Sequence, residues 1–199
     1  MKKYEFTGEY IIKGNKMLQR IRALRSFKGV ECGDLGGYIE SERNLSHDGN
    51  AWVGNDAKVY GFGQVTGNGL VAGKAEVCDR AIVRGNARVT GKSMVGGRIT
   101  VQGDAWLLDY VNLCGQAVIT GDAWVKGKDD VLEIDGLDAA YRTATAFRLR
   151  EGIGFEHNGY YGSSEEFKRY AEYQKNDVLR RQLLKFAELA EITLGKNHD

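Results

Sequence analysis

The sequence lacks an excess of charge of either sign. Its 199 residues include 28 basic and 27 acidic side chains, which gives a formal net charge of +1. Proteins that bind nucleic acid or an acidic membrane surface usually carry a basic patch. The charges are spread evenly along this chain, so we expect neither nucleic acid nor a membrane as a partner.

The sequence also lacks an apolar run of about 20 residues, the length that a helix needs to cross a bilayer. Its first residues, MKKYEF, do not resemble a signal peptide, which contains an apolar stretch. We therefore expect a cytoplasmic protein.

Residues that bind metals or act as nucleophiles are scarce, with three cysteines and three histidines in the chain. No histidine falls between positions 50 and 127, so this stretch offers no set of zinc ligands. We predict no metal site, and we interpret the cysteines as small buried or half-buried thiols.

An aliphatic side chain recurs at every sixth position of the middle segment. The series has thirteen members: Val53, Val59, Val65, Val71, Val77, Val83, Val89, Val95, Val101, Leu107, Leu113, Ile119 and Val125. A mostly small residue stands two positions before each member, and Gly, Asn or Asp stands two positions after it. No α-helix or β-meander has a six-residue period, whereas hexapeptide β-helices do.

A second period of eighteen residues lies over the first. The phrase Gly49-Asn50-Ala51-Trp52-Val53 returns in related form at positions 67, 85, 103 and 121. This period predicts a coil with three flat sides, whose turns stack as parallel strands about 4.8 Å apart. Because side chains alternate along a strand, Ala51 and Val53 should point inward and Trp52 outward. We interpret the column of Asn50, Asn68, Asn86, Asp104 and Asp122 as turn residues rather than cation ligands.

The segments on either side of the repeat have different patterns. Residues 1–49 predict an N-terminal β cap, in which Gly36-Gly37 would allow close backbone approach. Residues 128–199 predict an α+β appendage, with a hairpin closed by Asn158-Gly159 and one or two amphipathic helices after Ser163. The predicted fold is mainly β, with a cap (1–49), a parallel β-helix of about four turns (50–127) and the appendage (128–199).

The stretches Gly33-Asp34-Leu35-Gly36-Gly37-Tyr38-Ile39-Glu40 and Asn44-Leu45-Ser46-His47-Asp48-Gly49-Asn50 resemble the opening of small hexapeptide-repeat proteins of phages, prophages and bacteria. Those proteins are usually labelled polymer-forming proteins or transferases without an established activity. The resemblance implies a left-handed parallel β-helix and assembly as a homo-oligomer, with a trimer favoured. It also suggests a phage or prophage factor that acts on a host protein, including a role in counter-defence.

All three tryptophans are expected in one outward row, which reads Trp52, Leu70, Arg88, Trp106 and Trp124. Arg88 should lie on the ring of Trp106 as a cation–π pair. An exposed stripe of this kind is unusual in a monomer. The C-terminal segment of the chain, a partner subunit, or a foreign protein or ligand could cover it.

Two further sites are possible. Arg80, Arg84 and Arg98 form a basic cluster that could hold a small anionic ligand at a subunit boundary. His47 is a candidate for the general base of an acyltransferase-like enzyme that uses acetyl-CoA, because hexapeptide acyltransferases resemble this scaffold. We favour a non-catalytic platform for self-association and macromolecular binding, with the enzyme and the anion binder as alternatives. Under the favoured hypothesis no cofactor is expected.

Overall fold

The computed structural model describes residues 2–137 and 142–195, which form a mainly β protein with two C-terminal helices. The N-terminal strands are β1 (Tyr4–Lys13), β2 (Lys16–Ala23) and β3 (Leu35–Ile39). They are followed by a 3-10 turn at Glu42–Asn44 and then by the repeat.

The repeat forms a parallel β-solenoid with three sides and about five turns, because one side contains five stacked strands. Its strands, in chain order, are β4 (Trp52–Val53), β5 (Lys58–Val59), β6 (Gln64–Val65), β7 (Leu70–Val71), β8 (Glu76–Val77), β9 (Ile82–Val83), β10 (Arg88–Val89), β11 (Met94–Gly97), β12 (Thr100–Val101), β13 (Trp106–Leu107), β14 (Asn112–Gly115), β15 (Val118–Ile119) and β16 (Trp124–Val125). The first side is β4-β7-β10-β13-β16, and the third is β6-β9-β12-β15. The second side contains β5-β8-β11-β14.

The six-residue series fills the interior of the solenoid, as predicted. All thirteen aliphatic residues are buried, and only Leu113 has measurable exposure, at 7%. The preceding column of mostly small residues is also buried, from Ala51 to Ala123. Since the chain contains no proline, every backbone position in the solenoid has an N–H that can join the ladder between turns.

The N-terminal strands extend the second side of the solenoid. β1 and β2 form an antiparallel hairpin, β2 pairs with β3, and β3 pairs in parallel with β5. The result is a seven-stranded sheet in the order β1-β2-β3-β5-β8-β11-β14. The close approach predicted at Gly36-Gly37 is confirmed, since a Cβ on Gly37 would lie 2.4 Å from the carbonyl oxygen of Ala57.

The C-terminal segment forms an antiparallel sheet covered by two helices. After a 3-10 turn at Lys128–Asp130, its elements are β17 (Val131–Ile134), β18 (Ala144–Arg148), β19 (Ile153–His157), β20 (Tyr160–Ser163), α1 (Ser164–Glu172) and α2 (Asp177–Leu194). The predicted Asn158-Gly159 turn joins β19 to β20, and both residues have positive φ, at 53° and 82°. Ser163 caps α1, while the Asn176 side chain accepts the Val178 and Leu179 N–H groups and starts a separate second helix. Neither described helix is long and apolar enough to cross a membrane.

Candidate binding groove on the first side

The outward residues of the first side stand in single file. The parallel register joins them in the order Trp52, Leu70, Arg88, Trp106 and Trp124. The three tryptophans therefore share one face, as the eighteen-residue period predicts.

At the end of the row near the last turn, cations and indole rings form a stack. The rings of Trp106 and Trp124 lie 5.1 Å apart at an interplanar angle of 25°. The predicted contact of Arg88 is present, with its guanidinium carbon 4.8 Å from the centre of the Trp106 ring. Arg150, from the turn between β18 and β19, lies 4.5 Å from Trp124 and 5.5 Å from Trp106. Attraction to the π faces holds both guanidinium groups against the row.

The opposite end of the row is covered by the N-terminal segment. Trp52 is only 6% exposed. The ring of Phe27, from the loop between β2 and β3, packs edge-on against it with centres 5.4 Å apart. The chain itself therefore covers both ends of the stripe. The turn between β18 and β19 contributes one cover, so the prediction of a cover from the C-terminal segment is confirmed in part. The N-terminal segment contributes the other cover.

A groove with a volume of about 1050 Å³ lies between these two covers. Leu70 and Arg88, both half-buried, line its middle. Val30 and Leu35 line the end near the cap, and Arg150 lines the other end. None of the described residues of α1 or α2 lines it.

One wall of the groove is a ladder of side chains. The amide nitrogens of Asn50, Asn68 and Asn86 each donate to the side-chain oxygen one turn further on, at 2.9, 3.0 and 2.9 Å, and Asp104 is the last acceptor. The glycine before each member takes the positive φ of the corner, for example 67° at Gly85. Each ladder amide keeps a second N–H that the ladder does not use. The column thus helps to form a corner, as predicted, and also presents hydrogen-bond donors to the groove.

The groove contains cations that have no carboxylate partner. Lys28, Arg88 and Arg150 line it, and none of them forms an ion pair within the part of the chain that the structure describes. Asp104 and Asp122 line the same groove, but Asp104 accepts from the ladder and Asp122 accepts from the Tyr161 hydroxyl at 3.4 Å. The guanidinium groups are therefore open to a ligand.

The groove is better suited to binding than to proton transfer. Among the described residues that line it there is no His, Cys or Tyr, and the ionisable groups are Lys, Arg and Asp. A general base works best with a pKa near the operating pH, and His is the residue type whose ordinary pKa lies there.

His47 lies away from the groove, at the contact between the N-terminal strand and the first turn. Its ring stacks on Tyr4 with centres 4.3 Å apart, and its Nδ1 accepts the backbone N–H of Lys3 at 3.1 Å. Burial lowers the pKa of His47, although Glu42 acts in the opposite direction. The Nδ1 lone pair is engaged in this hydrogen bond, so the proton of the neutral ring lies on Nε2. This arrangement favours a structural role over that of a general base.

The arginine cluster is not part of the groove. Arg80, Arg84 and Arg98 are exposed, and they line neither this groove nor the smaller one beside α1. Arg84 donates to the side chain of Gln102 at 2.8 Å, and Arg80 lies 5.9 Å from the ring of Phe62. An anion site at these residues stays a prediction.

The cysteines occupy different environments. Cys78 is buried, whereas Cys32 and Cys114 are exposed, and all three are free thiols. Burial raises the pKa of the Cys78 thiol, and Asp79 contributes in the same direction. Among the described residues no three His, Cys, Asp or Glu side chains are arranged to hold a metal ion. His198 lies outside the described residues.

No protein-family model and no curated protein matches this sequence. The resemblance to phage and bacterial hexapeptide-repeat proteins therefore stays a prediction.

Proposed function

We propose that this protein is a non-catalytic β-solenoid that binds another macromolecule in the groove on its first side. The observation that carries the proposal is the combination in one groove of indole rings, ladder amides and cations without carboxylate partners. Trp and Arg are the residue types that most often dominate the energy of protein interfaces.

The groove is also organised before any partner arrives. Arg88 and Arg150 are held on the stacked rings of Trp106 and Trp124, and the ladder holds the amide wall in one arrangement. Binding then requires little further ordering of these side chains, which otherwise costs about 0.5–1.5 kcal/mol for each flexible side chain at an interface.

The chemistry of the lining indicates the kind of partner. Leu70 and the exposed Leu35 offer contacts to apolar side chains. Arg88, Arg150 and Lys28 attract carboxylates, and the unused amide hydrogens can pair with peptide carbonyl groups. A protein segment that carries acidic and apolar side chains fits this combination best.

The finer details belong to the same proposal. We propose a left-handed winding, with a cap at 1–49, the repeat at 50–127 and an appendage at 128–199. A phage or prophage protein that targets a host component, and assembles as a homo-oligomer, is the setting that the sequence resemblance suggests. The even charge of the chain supports a protein partner over nucleic acid.

The test is site-specific photocrosslinking in extracts of the native host. A photoreactive residue at position 70 reports on the groove, and one at position 100 is the control, since Leu70 and Thr100 are both half-buried outward residues of different sides. We expect a defined host polypeptide to be crosslinked from position 70 and not from position 100. Arg88→Glu should abolish that product, while Arg84→Glu, which changes charge on another side, should not.

Two results would contradict the proposal. One is a product of equal yield from both positions, and the other is a position-70 product that survives Arg88→Glu. Thermal melting of both arginine variants shows whether a lost product reflects the groove or the fold.

A further inference from the structure

A second surface, away from the groove, is an open strand edge. β1 stands at one end of the seven-stranded sheet, and no strand of the described residues pairs with its outer edge. A strand edge with unpaired N–H and C=O groups is a template for pairing with another chain, unless charge, proline or a bulge blocks it. The register shift between Phe6 and Tyr10 divides β1 into two regular stretches, and the one beside the turn consists of residues 10–13.

The turn between β1 and β2 determines which backbone groups face outward. The two residues Gly14 and Asn15 form it, with Gly14 at a φ of 61°, so Lys13 and Lys16 are the closing pair. The closing pair of a two-residue hairpin is hydrogen-bonded, and such pairs alternate along an antiparallel ladder. Lys13 and Ile11 therefore bond to β2, which leaves the N–H and C=O groups of Tyr10 and Ile12 at the open edge.

The side chains beside this edge form an exposed apolar patch. Tyr10, Ile12 and Met17 are 58%, 64% and 50% exposed. Ile12 lies directly opposite Met17 in the ladder, so the two share one face of the hairpin, and Tyr10 is two residues along the same face. An edge that is both unpaired and apolar favours association.

We propose that β1 pairs in antiparallel fashion with β1 of a second copy of this chain, about a twofold axis at Ile11. In this register, the backbone of Tyr10 in one copy exchanges hydrogen bonds with the backbone of Ile12 of the partner subunit. The backbone N–H and C=O groups at the open edge of each strand then face those of the other strand, as an antiparallel ladder requires. Each apolar patch adjoins its copy, and the two sheets become continuous.

Charge selects this register over its neighbours. With the axis at Ile11, Glu9, the residue that precedes the regular stretch, lies across from Lys13 of the partner subunit, so two attractive pairs form. Shifting the axis to Tyr10 or Ile12 loses these pairs, because Glu9 or Lys13 then faces Ile11. Glu9 and Lys13 have side chains that are 53% and 42% exposed, and they remain accessible although each has a partner within its own chain.

This pairing involves the second side of the solenoid and is independent of the groove. It specifies a twofold dimer, in contrast to the trimer that the sequence resemblance favours. An interface of this type is isologous, and it closes after two copies.

The first test measures mass in solution. Sedimentation of the wild type should show a dimer that dissociates on dilution. Ile12→Lys should raise the dissociation constant by tenfold or more, because a charge would face the apolar patch of the partner. Ile192→Lys is the matched control, since Ile192 is an exposed isoleucine of α2 with 65% exposure against 64% for Ile12. It should dimerise as the wild type does.

The second test measures register by disulfide formation in a Cys32→Ser, Cys114→Ser background. Ile11→Cys should crosslink two copies readily, because a non-hydrogen-bonded antiparallel pair has Cα atoms about 4.5 Å apart, within disulfide range. Ile12→Cys should not, because residue 12 would lie two positions from its own copy. A monomer at all concentrations, a trimer, dimerisation that survives Ile12→Lys, or crosslinking at position 12 instead of 11 would each overturn the proposal.

Discussion

Replacing Ser93 by alanine should stabilise this protein. Ser93 belongs to the inward column of mostly small residues on the second side, and it is fully buried. Its hydroxyl oxygen has no hydrogen-bond partner among the described residues. The equivalent positions one turn away on either side are Ala75 and Val111, both fully buried, so the column accepts apolar side chains of either size.

The size of the effect follows from two opposing contributions. A buried polar group without a partner destabilises the folded state by about 1–3 kcal/mol. Removing the hydroxyl leaves a small void, which offsets part of this gain at roughly 24 cal/mol per Å³. We expect a net increase of about 1 kcal/mol in the free energy of unfolding, which corresponds to a rise in Tm of about 2–4 °C for a chain of this size.

Urea unfolding followed by tryptophan fluorescence measures the change as a shift in midpoint at constant slope. Ala75→Ser is the reciprocal control, because it places a hydroxyl at the same column position one turn earlier, and it should lower the free energy of unfolding by a similar amount. A loss of stability in Ser93→Ala would show that the hydroxyl is hydrogen-bonded in solution, and the reasoning from its isolation would be wrong.

Two further predictions concern the N-terminal segment. Burial, and then the nearby charge of Arg25, lowers the pKa of Lys3 from 10.5 to about 8. Between about pH 8 and pH 10.5 the unfolded chain therefore binds more protons at Lys3 than the folded chain does. The free energy of unfolding should rise as the pH increases through this interval, and Lys3→Met should abolish this contribution. Urea midpoints of both proteins across this pH range measure the difference, and equal slopes would contradict it. Gly37→Ala should destabilise the protein by about 1–3 kcal/mol, because its Cβ would collide with the Ala57 carbonyl. Gly127→Ala is the control in the same urea assay, since nothing lies within 4 Å of its Cβ position, and equal midpoints would refute the clash.

The solenoid could be predicted from the sequence because one local rule repeats. Each hexad places its aliphatic residue at the same point of a short side, so Val53 and Val125 follow the same geometry although 72 positions separate them. Burial of the whole series and the single file of tryptophans confirm this prediction. The turn chemistry of Asn158-Gly159 and the cap at Ser163 are equally local, and both were recognisable for the same reason.

The covers of the groove were not predictable in this way. Phe27 meets Trp52 and Arg150 meets Trp124 across loops that have no period and no motif. The sequence pattern predicts a cover from the C-terminal segment, a partner subunit, or a foreign protein or ligand, and it does not indicate the N-terminal contribution. The column of Asn and Asp is visible in the sequence, but these residue types suit a turn as well as a side-chain ladder, so the pattern does not indicate the ladder.

The groove therefore depends on the segments outside the repeat as much as on the repeat itself. The repeat supplies a uniform side of five strands. The N-terminal segment and the turn between β18 and β19 cover its two ends, and their positions determine how much of the side remains uncovered. Leu149 pairs with Ala123 of the last turn, which fixes the hairpin tip and places the exposed Arg150 over the stacked rings. Because this tip contributes Arg150 to the groove without entering the solenoid core, substitution there should alter the proposed binding while the aliphatic interior stays intact.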